Sequence, residues 1–130
     1  MIKRYRHAGG VILVDTHIGS NNLTSSTTST ATFTTVISGE AGAVVTINVS
    51  AYTHTAGASG ATFSVDGITY NLGDTFTKTL DGTGNVTITQ FYDVGTTTPG
   101  EGLFVNLHIT GTTIGSVDPI NNLTSNSKTV

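Results

Sequence analysis

Apolar residues recur at every second position over most of the chain, and this alternation constrains the fold more than any other feature. The clearest run is Leu103, Val105, Leu107 and Ile109, whose side chains would share one face of an extended strand. The same pattern marks six further segments, at residues 33–37, 45–49, 63–65, 68–72, 76–80 and 86–92. The alternation therefore predicts seven short β-strands.

Glycine-rich turn segments separate these predicted strands. Asp66-Gly67 follows Val65 and precedes Ile68, which is the spacing of a tight hairpin. Seven short strands joined by such turns within roughly 80 residues are typical of a sandwich. We therefore predict an all-β fold: an Ig-like or jelly-roll-like β-sandwich of about seven strands, with extended N- and C-terminal arms.

Threonine occupies the positions between the apolar residues. It fills 27 of the 130 positions, and its β-branched side chain favours pleated backbone. Thr32 and Thr34 in the first predicted strand, and Thr87 and Thr89 in the sixth, are expected on the outer faces. The predicted core comprises Phe33, Val45, Ile47, Val49, Phe63, Val65, Tyr70, Leu80, Val86, Ile88, Val105, Leu107 and Ile109.

The two ends of the chain differ in composition from this centre. Residues 1–30 are interpreted as an N-terminal arm and polar linker, residues 31–115 as the sandwich domain, and residues 116–130 as a C-terminal tail. Polar ends with little apolar content gain too little from burial to order on their own core, so we expect them to be disordered or bound to neighbouring chains. The string NNLTS occurs in both ends, at 21–25 and 121–125. It reflects either biased composition or similar contacts with a repeated partner surface.

Positive charge is concentrated at the start of the sequence. Lys3, Arg4 and Arg6 are three of the five basic residues, and all eight acidic residues follow them. A nucleic-acid-binding domain spreads Lys and Arg over a whole face, so we predict no nucleic-acid partner. No apolar run reaches the roughly 18 residues that a bilayer-spanning helix needs, so no membrane partner is predicted either.

The basic start and the apolar run behind it form the predicted partner-binding segment. Its basic residues would face carboxylates on a neighbouring chain, and its apolar residues would add a strand or fill a groove there. The residues are Lys3, Arg4, Tyr5, Arg6, Val11, Ile12, Leu13 and Val14.

No residue pattern in the sequence points to catalysis. The chain has no cysteine, which excludes thiol nucleophiles and Cys-ligated zinc. Its four histidines, at positions 7, 17, 54 and 108, are isolated from one another and lack metal-ligand spacing. We therefore predict a protein that is not an enzyme, with no catalytic residues, no metal and no cofactor.

The strand pattern with its Asp-Gly turns resembles the small Ig-like β-sandwich virion proteins of tailed bacteriophages, of the capsid decoration or cement type. Residues 63–70 (FSVDGITY) and 79–88 (TLDGTGNVTI) carry the resemblance, which covers about residues 30–115. It implies a virion structural protein on the capsid surface that stabilises the shell through its sandwich and extended termini. Its partners would be the major capsid protein or other virion proteins, and it would form a homo-oligomer, for which a trimer is one option.

Two alternatives remain open from the sequence. The first is a phage tail or fibre component. The second is an extracellular carbohydrate-binding β-sandwich, which needs aromatic side chains on its surface to stack against sugars. The aromatic candidates are Tyr5, Tyr52, Phe91, Tyr92 and Phe104.

Overall fold

A computed structural model describes residues 6–7, 10–11, 19–55, 60–112 and 121–130. Its strands are β1 (Arg6–His7), β2 (Gly10–Val11), β3 (Gly19–Thr24), β4 (Thr30–Ser38), β5 (Val44–His54), β6 (Thr62–Val65), β7 (Ile68–Thr69), β8 (Thr75–Thr79), β9 (Asn85–Asp93), β10 (Gly102–Thr112) and β11 (Asn121–Thr129). The seven predicted strands correspond to β4–β10. Among the described residues there is no helix long and apolar enough to cross a membrane.

Two sheets face each other across one core. The five-stranded sheet has the order β3-β11-β10-β5-β8, and the four-stranded sheet has the order β4-β9-β6-β7. The short strands β1 and β2 pair with each other. Neighbouring strands are antiparallel, apart from the parallel pair β3 and β11. This arrangement confirms the predicted all-β sandwich.

The core lies between the sheets and consists of the alternating apolar residues. Ten of the thirteen predicted core residues are buried: Val45, Ile47, Val49, Phe63, Val65, Leu80, Ile88, Val105, Leu107 and Ile109. The other three, Phe33, Tyr70 and Val86, are half-buried and pack against the same core. The ring of Tyr92 lies edge-on between Phe33 and Phe63, with centroid distances of 5.2 and 5.1 Å. The core prediction is thus confirmed.

The predicted Asp66-Gly67 hairpin is also present. Val65 pairs with Ile68, and both turn residues have positive φ, 49° at Asp66 and 86° at Gly67. Such a two-residue turn twists in the same sense as the strands it joins. Asp and Gly are among the residues that tolerate this conformation.

The structure differs from the expected arm and tail at residues 19–24 and 121–130. β3 and β11 are strands of the five-stranded sheet, and β11 lies between β3 and β10. Val130 follows β11, donates its N–H to Glu101 O and accepts from Gly100 N, both at 2.8 Å. β11 lies inside the sheet, where its main-chain groups are satisfied on both sides whatever its side chains are, so low apolar content does not keep it out of the sandwich. β3 joins it as the edge strand of the same sheet.

Candidate functional site

The predicted partner-binding residues fall almost entirely outside the part of the chain that the structure describes. Lys3, Arg4, Tyr5, Ile12, Leu13 and Val14 lie outside the described residues. For Arg6 and Val11 the structure describes the backbone, which pairs the two residues across β1 and β2. Their role in binding a partner stays a prediction.

The outer face of the four-stranded sheet is covered by threonine. Thr32 and Thr34 of β4 and Thr87 and Thr89 of β9 are all exposed, as the sequence predicts, and Thr34 lies opposite Thr89. Phe91 lies among them, with Thr32 beside it on β4 and Ser64 beside it on β6. This face therefore presents hydroxyl groups around one aromatic ring.

The outer face of the five-stranded sheet repeats this arrangement. Phe104 of β10 lies between Thr53 of β5 and Ser127 of β11. Its side chain is 37% exposed, close to the 40% of Phe91 on the opposite side of the molecule. Alternation places the half-buried His108 on the same face, together with these neutral side chains: Asn22, Thr24, Thr46, Asn48, Thr75, Thr77, Thr79, Asn106, Thr110, Ser125 and Thr129. Each broad face thus has an exposed phenylalanine within a field of small polar groups.

Of the aromatic residues proposed for sugar stacking, Phe91 and Phe104 are on the surface, whereas Tyr92 is buried in the core. The Tyr92 hydroxyl donates to Val105 O at 3.4 Å, and burial raises the pKa of this phenol above its usual value. Tyr52 is half-buried, and its hydroxyl donates to Ala61 O at 2.9 Å. Burial raises the pKa of the Tyr52 phenol too. Tyr5 lies outside the described residues.

A chain of polar side chains crosses the core near β11. Asn126 Nδ2 donates to Gln90 Oε1 at 3.0 Å, and Gln90 Nε2 donates to Thr35 Oγ1 at 2.8 Å. Asn21 Nδ2 donates to Asn126 Oδ1 at 3.1 Å. Asn126, Gln90 and Thr35 are buried. The network joins β3 and β11 to β9 and β4 of the opposite sheet, and nothing in the apolar alternation of the sequence points to it.

Lys128 is a second polar residue that β11 turns inward. Its side chain is buried, and its Nζ donates to the carbonyl oxygens of Ser25, at 3.0 Å, and Thr129, at 2.8 Å. Burial lowers the pKa of the Lys128 ammonium below 10.5. This lysine secures the chain just beyond β3 to the end of β11.

An ion pair connects the two sheets at their other edge. Lys78 Nζ of β8 lies 2.7 Å from Asp66 Oδ2 in the hairpin, and Asp66 Oδ1 accepts the backbone N–H of Thr89 at 3.0 Å. Burial alone raises the pKa of the Asp66 carboxyl, but the hydrogen bonds from Lys78 and Thr89 and the charge of Lys78 outweigh it, so the pKa lies below 3.8. Both residues therefore stabilise the sandwich.

Within the described ranges, no three His, Asp or Glu residues lie close enough together to bind a metal ion. His54 is exposed at the end of β5, and His108 is half-buried in the middle of β10. The described surface is therefore notable for neutral hydroxyl and amide groups, not for reactive side chains.

No known protein-family model matches this chain, and no curated protein matches it. Among solved structures, the E. coli chaperone DraB shares 9% identity over 92% of this chain with a TM-score of 0.47, and the chain spans 56% of the DraB chain. PapD-like domain 7 of human CEP192 shares 10% identity, with coverages of 88% and 83% and a TM-score of 0.46. The CooA pilin subunit from enterotoxigenic E. coli shares 12%, with coverages of 94% and 90% and a TM-score of 0.44. The likeness is one of general β-sandwich architecture.

Proposed function

We propose that this protein is a structural subunit of an extracellular assembly, and specifically a capsid decoration (cement) protein on the surface of a bacteriophage virion. Its sandwich would lie on the shell, and its N-terminal segment would reach neighbouring molecules. The proposed partners are the major capsid protein or other virion proteins, together with further copies of this chain.

The observation that carries the proposal is that each broad face has an exposed phenylalanine with uncharged Thr and Ser beside it on the neighbouring strands. The buried centres of protein interfaces are depleted in charged residues and enriched in aromatic ones. A charge that loses its water there without gaining a partner costs on the order of several kcal/mol. Phe91 and Phe104, each surrounded by Thr and Ser, meet this requirement on opposite sides of the molecule. A subunit with two such faces can pack between neighbours on both sides.

The N-terminal segment supplies the complementary chemistry. Lys3, Arg4 and Arg6 would face carboxylates of the shell, where their attraction weakens as salt concentration rises. The run Val11–Val14 would add a strand to an exposed sheet edge or fill an apolar groove there. Binding through this segment adds contact area without enlarging the core of the sandwich.

A deletion tests the proposal. The full chain and a variant lacking residues 2–18 are produced in cells in which the virion assembles, and particles purified on a density gradient are quantified by mass spectrometry. We expect the full chain at a fixed ratio to the major capsid protein, and we expect the variant to be absent from the particles. Circular dichroism and a thermal melt of the purified variant show whether the sandwich, which begins at β3, still folds.

A charge variant provides the matched control for the deletion. Replacing Lys3, Arg4 and Arg6 by Gln should weaken incorporation most at low salt, where the charge attraction is least screened, whereas Lys78→Gln, which changes charge on the sandwich, should leave incorporation unchanged. Full incorporation of the deletion variant, or purified particles that contain none of the full chain, would refute the proposal.

A further inference from the structure

The outer face of the five-stranded sheet has a gap beside Phe104. Phe104 and Gly102 lie two residues apart on β10 and therefore point to the same side. Thr129 of β11 lies opposite Gly102. On the other side Thr55 donates its backbone N–H to Gly102 O at 3.0 Å and accepts the Gly102 N–H at its Oγ1, also at 3.0 Å. Gly102 thus occupies the middle of a row with threonine at either end, and has no side chain to fill the space.

Gly102 lies at the bottom of a cavity of about 410 Å³, which we term the Phe104 hollow. Its lining includes Thr55, Gly100, Gly102, Phe104, Ser127 and Thr129. Its volume is within the range of small-molecule sites, roughly 300–1,000 Å³. No larger residue fits at position 102, because β10 packs so closely on β11 that a Cβ on Gly102 would lie 2.8 Å from Lys128 O.

Three of the hydroxyl groups around the hollow, those of Thr55, Ser127 and Thr129, have their protons engaged within the protein. Ser127 Oγ and Thr129 Oγ1 both donate to Asn22 Oδ1, at 2.8 and 3.2 Å, and Thr55 Oγ1 donates to Gly100 O at 3.4 Å. Each hydroxyl oxygen retains lone-pair capacity to accept a further hydrogen bond. The lining thus favours a ligand that brings its own O–H donors, and it has no cation among its residues to attract an anion.

We infer that the Phe104 hollow binds a neutral pyranose sugar. The sugar's apolar C–H face would lie against the Phe104 ring, and its hydroxyls would donate to the oxygens of Thr55, Ser127 and Thr129. Aromatic faces and hydrogen-bonding side chains on rigid strands suit such a ring because neither needs to rearrange on binding. The hollow lies on the face that the assembly proposal assigns to a neighbouring molecule, so a sugar and a neighbour would compete for it. The deletion above tests the N-terminal segment on particles and the titration below tests the isolated chain, so either proposal can fail without the other.

NMR titration of the ¹⁵N-labelled protein provides the test. The probes are glucose, galactose, mannose and N-acetylglucosamine, each added separately, with glucuronic acid as an anionic comparison. At least one neutral sugar should give saturable shifts confined to the amides of residues 53–55, 100–104 and 127–129. Glucuronic acid should bind more weakly than glucose.

Two phenylalanine variants distinguish stacking from a general surface effect. Phe104→Ala should weaken sugar binding by about tenfold or more, whereas Phe91→Ala removes an equally exposed ring from the opposite face and should leave binding unchanged. Ser127→Ala and Thr129→Val should each weaken binding and leave the spectrum of the free protein dispersed. The inference is wrong if none of the neutral sugars gives saturable shifts, or if Phe104→Ala and Phe91→Ala behave alike. It is also wrong if the same amides shift with protein concentration alone, since a second copy would then occupy the hollow.

Discussion

Asn126 and Gln90 form a hydrogen bond across the interface between the two sheets, with Asn126 Nδ2 3.0 Å from Gln90 Oε1. Asn126 belongs to β11 in the five-stranded sheet, and Gln90 belongs to β9 in the four-stranded sheet. Both side chains are buried, and this bond gives the Gln90 carbonyl oxygen its donor and the Asn126 amide nitrogen its acceptor. Moving β11 by two residues along its neighbours would replace Asn126 with Lys128 or Thr124 and leave Gln90 without this partner. The pair therefore specifies the register of β11.

Replacing Asn126 by Leu should lower the free energy of unfolding by about 1–3 kcal/mol, because Gln90 Oε1 is left buried without its donor. The paired replacement of Asn126 and Gln90 by Leu should cost less than the sum of the two single changes. Urea unfolding of the four proteins gives the coupling free energy. Additive single effects would show that the two side chains do not stabilise each other.

Truncating the apolar core should have a larger effect. Ile47→Ala or Leu107→Ala should lower the free energy of unfolding by about 2–5 kcal/mol, because both side chains are fully buried and a cavity would replace them. Thr77→Ala, on the exposed face of β8, should change it by less than about 0.5 kcal/mol. Urea unfolding monitored by circular dichroism compares the three. Similar small effects at all three positions would contradict the two-sheet core.

The Asp66–Lys78 ion pair should make stability sensitive to acid. The pKa of Asp66 is lower in the folded chain than its usual 3.8, so the folded state binds this proton less readily than the unfolded state. The pair's contribution is therefore present above pH 3.8 and is lost as the pH falls through the lowered value. Asp66→Asn should cost at most about 1 kcal/mol at neutral pH, because the pair is partly exposed.

Urea unfolding of the Asp66→Asn variant at neutral and acidic pH provides the measurement. The difference from the unsubstituted protein should shrink with added salt and disappear in acid. Lys78→Met is the matched control, since it removes the other partner of the same ion pair. It should therefore reproduce this dependence on pH. A difference that persists below the folded pKa of Asp66 would contradict the ion-pair explanation.

Lys128 should also make stability rise with pH, but in the alkaline range, because there a buried charge is lost. Burial lowers the pKa of its ammonium below 10.5, so between the two values the unfolded state binds more protons than the folded state, and stability gains a contribution that increases with pH. Lys128→Met lacks this group. The free energy of unfolding of the unsubstituted protein should therefore rise relative to that of Lys128→Met as the pH increases from neutral towards 10.5.

Comparing the two proteins at each pH cancels the titration of the other lysines and of the tyrosines, which both proteins share. Lys78→Met serves as a second reference, since it removes a lysine whose side chain is less buried. If the difference between the unsubstituted protein and Lys128→Met is constant over this pH range, the Lys128 ammonium is not destabilised by burial.

The sequence indicates the fold wherever the inward-facing residues are apolar. Leu103, Val105 and Leu107 alternate with polar residues, and the strand they predict is β10. The sequence pattern does not predict β11, because the buried side chains of this strand are the polar Asn126 and Lys128. The apolar Val130 is buried just after it. The fit of the two polar side chains depends on partners distant in the sequence, Gln90 and Ser25, which periodicity does not identify.

The surface features were partly predictable. The exposed threonines follow from the alternation, and Phe104 lies on the outer face because Leu103 and Val105 face the core. The Phe104 hollow does not follow from the sequence, since it needs Gly102 to pair with Thr129, a residue of the predicted C-terminal tail. The two copies of the NNLTS string do not pair with each other, since Asn21 in the first copy lies opposite Asn126, just beyond the second.

The parallel pairing of β3 with β11 also determines how the molecule responds to a pulling force. Tension applied to the chain before Gly19 and after Thr129 draws these two strands past each other along their length. The hydrogen bonds between them then carry the load together in shear, whereas an antiparallel hairpin pulled from its open end would lose its bonds one by one. A domain built in this way is suited to remain folded while it transmits force between the molecules on either side of it.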